Sequence, residues 1–365
     1  MQKLIYDTEK EADDKMEVYA SLLIEYPSAI YVGVFKEGDM FEIKVGSEDG
    51  KYIDRKELIE YLMNNSGGQD SRFSFVESVQ KNKSYLEELF DFEILKTYET
   101  RKFTLIDPYD ETEEILPSKS LKSGLHIGNK ERSGGTLGAV FQLEGFPNEY
   151  FGISNWHVLA YDIELGGDIV QPGKDNYDSY KPLEKYKCGR LFWRCLDKRR
   201  EVAFVHFNNF DRFDKHHIEN RENYCGIKLS GNLRDVPPIG KKLNKCNYLN
   251  SSNNEVLSRN ATVKVEDTRF YSVGRESFKI FKNQILLKNE LESGNSGSVL
   301  TFKEDNNIGA VGLLFCKTED YKMSVANNLS HIFNTCFDDF HPDYREIYYK
   351  AKIPMITKFT PKIIF

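Results

Sequence analysis

From about residue 116 onward the sequence is a succession of short runs rich in β-branched and aromatic residues, each closed by Gly, Asn, Asp or Pro. They lie at 138–142, 150–153, 189–193, 202–207, 261–265, 284–287, 298–302 and 310–315. Runs of this length, punctuated so closely, suit strands rather than long helices, and their spacing is that of an all-β sandwich or barrel. No fixed-period repeat is evident, so the strands must find partners far away in the chain.

The first hundred residues read differently. Thr8 and Glu11 have capping-box spacing, and Met16, Tyr19, Leu23 and Tyr26 recur at helical intervals, which predicts a helix over 8–26. Two strands around Lys36–Asp39, a helix over 54–63, a strand over 72–79, a helix over 83–90 and extended chain over 92–105 complete a small α+β unit. A polar, acidic connection at 107–114 carries turn formers and places a domain boundary near residue 115. The expected organisation is an α+β domain over 1–115, a β-rich domain over 116–345 and a tail over 346–365.

Charge and hydropathy exclude several classes. The formal net charge of −7 lacks the concentrated Lys and Arg that phosphate neutralisation demands, so nucleic acid is not the expected partner. The longest nearly apolar stretch, 308–316, is far short of the ~18–20 residues that span a bilayer, so no membrane is expected either. The first residues run straight into acidic sequence without an apolar export stretch, and 6 cysteines in 365 residues make no dense disulfide framework; a cytoplasmic location is expected.

Chemistry concentrates in three places. Ser296 sits in Ser293-Gly-Asn-Ser-Gly-Ser298, between two β-like runs. A serine hydroxyl is a weak nucleophile, so acyl transfer needs a tight turn that exposes it and aims backbone N–H groups at a developing oxyanion; Gly294 and Gly297 permit such a turn. His157 follows the apolar run 150–153 directly, where a strand end can hold an imidazole suited to proton transfer near neutral pH. Glu201 opens the run Glu-Val-Ala-Phe-Val and can accept the other imidazole N–H; Asp197, four residues earlier, is a second candidate. The order His157, Glu201, Ser296 is the His-acid-Ser order of chymotrypsin-type enzymes.

With those residues assembled, the region from about Gly124 to Phe340 resembles the trypsin-like (chymotrypsin-fold) serine peptidases, in particular their compact bacterial-type branch. The stretches that carry the likeness are Gly135-Thr-Leu-Gly138, Ser154-Asn-Trp-His-Val-Leu-Ala160, Val170-Gln-Pro-Gly173, Ile239-Gly-Lys-Lys-Leu-Asn244, Ala310-Val-Gly-Leu-Leu-Phe315 and Ala326-Asn-Asn-Leu-Ser-His-Ile-Phe333. The resemblance implies two six-stranded antiparallel β-barrels with the site in the crevice between them. It also implies Ser296 as nucleophile, His157 as general base, Glu201 as orienting carboxylate, and the N–H groups of Gly294 and Ser296 as oxyanion hole. Peptide or protein is the implied substrate, no cofactor or metal is needed, and Glu290, Gly312 and Leu313 are the implied substrate-binding residues. A carboxylate at Glu290 would favour cleavage after Lys or Arg. The chain departs from the family pattern at Glu201 and Asn295, where Asp is usual.

Three other readings stand beside this one. Cys188, Cys195, His206, His216, His217 and Cys225 are near enough in sequence to raise zinc, but lack short paired spacing. An α/β-hydrolase could use Asp320 and His331 after the serine, yet Ser298 stands where its second glycine belongs. A protease-like fold kept as a binding or scaffolding module is the non-enzymatic alternative, motivated by the two departures, with the first domain recruiting a regulatory partner.

Overall fold

The computed structural model describes residues 2–65, 83–107, 118–119, 121–131, 134–143, 146–173, 185–207, 233–246, 253–274, 277–289, 291–304, 307–320, 322–335 and 361–363. The chain opens with β1 (Leu4–Tyr6) and α1 (Glu9–Leu23). Helix α1 starts where Thr8 Oγ1 accepts the Glu11 N–H at 3.2 Å, with Glu9 and Glu11 in the first turn complementing the helix dipole. Ala12, Met16, Tyr19, Ala20, Leu22 and Leu23 form its buried face.

A hairpin of β2 (Ala29–Glu37) and β3 (Met40–Ser47) follows, turning at Gly38, whose φ of 63° suits glycine. Next come β4 (Ile53–Asp54), α2 (Arg55–Asn65), α3 (Lys83–Leu89), β5 (Ile94–Leu95), β6 (Thr97–Glu99) and β7 (Phe103–Leu105). Asp54 Oδ1 caps α2 by accepting from the N–H groups of Lys56 and Glu57. The strand expected over 72–79 and the boundary near 115 lie outside the described residues.

Two β-layers follow. The first contains β8 (His126–Asn129), β9 (Gly135–Thr136), β10 (Ala139–Leu143), β11 (Phe146–Ser154), a helical turn α4 (Trp156–Leu159), β12 (Asp168–Val170), β13 (Lys187–Leu196) and β14 (Glu201–Phe207). The second contains β15 (Lys242–Cys246), β16 (Asn253–Glu266), β17 (Phe278–Lys288), β18 (Val299–Glu304), β19 (Asn307–Thr318) and β20 (Met323–Asn328), then α5 (Leu329–Thr335); β21 (Pro361–Ile363) returns to the first layer.

The architecture is mainly β, with one half-barrel sheet and one ringed sheet. In the second layer the order β16-β15-β18-β19-β20-β17 closes on itself because β17 also pairs β16, giving the expected six-stranded antiparallel ring. The first layer differs from expectation: its order is β21-β10-β11-β14-β13-β12-β8-β9, eight strands rather than six, since β21 adds to β10 and β9 pairs β8. The N-terminal sheet runs on into the ring through β2, which pairs β16 at Thr262↔Val32 and Val263↔Tyr31.

All seven residues of β14 are buried, and its alternation shows why. Ala203, Val205 and Phe207 face the interior of the half-barrel with Leu137, Val140, Ile169 and Leu191. Val202 and Phe204 face the other way, into a seam with Val299, Leu313, Leu329, Ile332 and Phe333 that joins the two layers. A strand covered on both faces reads as a nearly continuous apolar run, as this one does. Phe333 of α5 packs edge-on to Phe141 and stacks on Phe204, fastening the last helix across the seam. No described helix is long and apolar enough to cross a membrane.

Candidate active site

The seam brings three distant segments together. Strand β11 ends at Ser154, Asn155 stands at the N-cap of α4, and the single helical turn then presents His157, which is 5% exposed. Glu201 is the first residue of β14 and is wholly buried. Ser296 lies in the loop ahead of β18, where Gly294 (φ 81°) and Gly297 (φ 86°) take conformations that L side chains resist. A Cβ at Gly297 would also come within 2.2 Å of Ser154 Oγ and of the Thr136 carbonyl, so glycine is required there twice over.

Backbone bonds fix that loop to both layers. Thr136 donates its N–H to Ser296 O and its hydroxyl to Gly294 O, each at 2.7 Å. From the ring, Gly297 donates to Leu314 O at 2.9 Å, and Leu314 donates back to Ser298 O at 3.0 Å.

Within this frame Glu201 Oε1 lies 2.8 Å from His157 Nδ1 and accepts the His157 backbone N–H at 2.8 Å. His157 Nε2 is in short contact with Ser296 Oγ. The hydroxyl also faces Asn155 Oδ1 at 3.0 Å, while Asn155 Nδ2 donates to Glu201 O at 3.1 Å. Asn327 of β20 accepts the Glu201 N–H at 3.0 Å and donates to Glu201 O at 3.2 Å, so the ring itself holds the carboxylate's backbone in place. Glu201 Oε2 is buried without a hydrogen-bond partner among the described residues, so the carboxylate's contacts with His157 are both made through Oε1.

The second acidic candidate is engaged elsewhere. Asp197 accepts from the N–H groups of Arg199 and Arg200 at 2.7 and 2.8 Å, and from Arg200 Nε at 3.0 Å. Burial alone would raise its carboxyl, but the Arg200 guanidinium and these N–H groups outweigh that and hold it below its ordinary value. It anchors the turn from β13 to β14. Nearby, burial would raise Asp267 as well, and Arg269 likewise keeps it low. Cys316 is pushed up by burial first, then by the negative charges of Glu201 and Asp267.

The implied substrate-binding residues are placed differently. Glu290 lies outside the described residues. Gly312 and Leu313 are core positions: a Cβ on Gly312 would meet Ile285, Ala326 and Leu300 inside the ring, and Leu313 belongs to the seam. They pair with β18 and β20, so neither offers a free backbone edge; the edge beside the serine loop lies further along β19. Asn295, where the family pattern has Asp, accepts from the buried Lys245 ammonium through Oδ1.

The zinc candidates are dispersed where they are described. Cys188 Sγ donates to Ile169 O, Cys195 Sγ approaches Asp197, and His206 Nε2 is 2.6 Å from Glu149, while His216, His217 and Cys225 lie outside the described residues. No group of three His, Cys, Asp or Glu gathers among the described residues. Asp320 closes a turn by accepting from Thr318 and Lys322, and His331 lies on α5.

Sequence reasoning missed Thr136, Asn155 and Asn327. Asn155 stands two residues before His157 and could have been found as the N-cap of its helical turn. Thr136 and Asn327 act through strand ends, and no local pattern marks them.

No family model matches the chain, and no curated protein matches it in sequence. Among solved structures it is similar to a glutamic acid-specific serine protease at 12% identity, covering 59% of this chain and 97% of that one, with a TM-score of 0.40. A Nocardiopsis protease is similar at 12% identity over 59% and 96% of the two chains, TM-score 0.39. The MamO protease domain of Magnetospirillum magneticum is similar at 9% identity over 57% and 93%, TM-score 0.34. At this level of likeness the roles of individual residues rest on the side-chain geometry above. The solved structures that this chain resembles are trypsin-like serine proteases.

Proposed function

We propose that the chain is a serine endopeptidase working through Ser296, His157 and Glu201. The observation that carries this reading is the continuous line of contacts from Glu201 Oε1 through both ring nitrogens of His157 to Ser296 Oγ. With Nδ1–H held by the carboxylate, Nε2 is left as the acceptor that a serine proton needs. His157 takes that proton as Oγ attacks a peptide carbonyl, and the buried carboxylate stabilises the resulting imidazolium. The N–H groups of Gly294 and Ser296 are the candidate donors to the oxyanion. The imidazolium returns its proton to the leaving amine, and a water activated by the same nitrogen releases the acyl group.

Glutamate fills the acid's role because its extra methylene starts from the first residue of β14, a position fixed from both sides by Asn155 and Asn327. A fluorophosphonate probe tests the reading, since only an activated serine forms the adduct. The expected result is labelling located on Ser296 by mass spectrometry, absent in Ser296→Ala. Equal background in the wild type and that variant, at saturating probe and long incubation, would favour the scaffold reading.

A further inference from the structure

Three successive partners share one edge of β19. Residues up to Leu313 pair with β18, and Leu314 is bonded to Gly297 and Ser298 of the serine loop. The next stretch, from Phe315 to Thr318, is taken by the chain's own β7. The two run antiparallel, with Leu105 opposite Cys316, Thr104 opposite Lys317 and Phe103 opposite Thr318. Ile106 continues the ladder by donating its N–H to Phe315 O at 3.1 Å. One residue on, the Asp107 carbonyl accepts the N–H of Gly294 at 2.8 Å.

That last bond joins the segment to the proposed chemistry. An extended peptide presented to Ser296 must run past the serine loop and offer a carbonyl to the N–H of Gly294. The segment 103–107 already does both. We infer that this segment is a tethered pseudosubstrate: it occupies the peptide-binding edge of β19 and consumes an oxyanion-hole donor, so the site turns over only when its Asp107 end peels away. The inference rests on the serine endopeptidase reading.

The occupant is held at several points. Phe103, Leu105 and Ile106 are fully buried, the first two among Phe270, Phe281 and Phe315. Arg269 Nη2 donates to Leu105 O at 3.2 Å. Asp107, whose side chain is 63% exposed, faces the buried Lys317 ammonium at 3.9 Å. The anchor therefore lies at Phe103, Leu105 and Ile106, the last packed with Leu243, Ile285 and Leu300 inside the ring, while Asp107, the residue that meets Gly294, depends on one carbonyl and one ion pair. Such an end can open without unfolding what precedes it.

The test measures the rate of fluorophosphonate labelling of Ser296 in full-length wild type, Ile106→Pro and Asp107→Lys, with Ser296→Ala as the background. Ile106→Pro deletes the N–H given to Phe315; Asp107→Lys sets two ammonium groups against each other at an exposed position and keeps the test alive if the proline variant fails to fold. Hydrogen exchange of peptides spanning 103–107 is followed in parallel. The expected result is protection of that segment in the wild type, loss of it in the variants, and labelling faster by about ten-fold or more, the factor that ~1.4 kcal/mol of lost contacts produces. Wild type labelling as fast as both variants, or an unprotected segment, overturns the inference while leaving the peptidase reading intact. Labelling at the Ser296→Ala level in all three, with the segment protected, marks failure of the peptidase reading, and the inference falls with it.

Discussion

A single oxygen of Glu201 accepts two hydrogen bonds from His157, one from the backbone N–H and one from Nδ1, each at 2.8 Å. The carboxylate thus fixes both where the imidazole is attached and how it is turned. Removing Ser296 or His157 by alanine substitution is expected to lower turnover by on the order of 10⁶, with the double variant no worse than either alone. Glu201→Gln keeps the size of the side chain but not its charge, and is expected to cost about 10⁴ through loss of the correct tautomer. Glu201→Asp, which keeps the charge, should retain measurable activity above that of Glu201→Gln. Rates on a peptide substrate, measured in the Asp107→Lys background, check the series; a folded Glu201→Gln variant at full activity would contradict it.

Asn327 offers a test on stability. Its amide accepts from Glu201 N and donates to Glu201 O, tying the second layer to the first residue of β14. Asn327→Leu is expected to lower stability by about 1–3 kcal/mol, because the Glu201 N–H loses its side-chain acceptor in a buried place. Activity should fall as well, as the carboxylate loses its fixed origin. Denaturant melts and rates on the same preparations read both effects.

Acid should find His126. This residue is buried, its Nδ1 accepts the Gly173 N–H at 2.9 Å, and burial pushes its pKa down to about 3. The unfolded chain takes up a proton near the ordinary histidine value of about 6.5, whereas the native one resists until about 3. Its contribution to stability is therefore complete above about pH 6.5 and is lost progressively as pH falls toward 3, at up to ~1.4 kcal/mol per pH unit. His126→Asn, which keeps an acceptor but cannot charge, should show a shallower fall over that window. Denaturation midpoints from pH 7 to 4 would reveal the difference.

Gly297 is a position where one methyl group should be decisive. Gly297→Ala must carry a side chain at φ 86° and pushes it against Ser154 Oγ and Thr136 O. The conformational cost of about 1–2 kcal/mol and an overpacking cost of about 1–3 kcal/mol add at one site. A large drop in melting temperature and loss of Ser296 labelling are expected together, whereas Gly38→Ala, at a turn where no atom lies within 4 Å of the new Cβ, should cost only the first term.

The elements most readable from sequence were those whose signal is local. The Thr8 cap, the Gly38 turn and the apolar run at 202–207 each predict their own structure, and α1, the β2–β3 hairpin and β14 follow. Ser296 and His157 could be picked out as candidates because glycines and a strand end are local marks, and the fold brings the two side chains together. What escaped depends on strand register. Thr136 reaches the serine loop only because β9 passes it, and the stretch of β19 that runs on past the serine loop lies at 315–318 rather than at Gly312 and Leu313 because β18 ends its pairing at Leu313. The pairing of β7 with β19 joins residues some two hundred positions apart, and no pattern within 103–107 announces it.

The hydrogen bonds between β2 and β16 bear on any attempt to shorten this protein. A fragment begun after the acidic connection would free the serine loop of its occupant and in the same cut strip the neighbours from Thr262, Val263 and the far end of β19. Bare strand margins recruit one another. The liberated fragment is expected to gain reactivity and stickiness together, since the strand margins that β2 and β7 occupy would be bare.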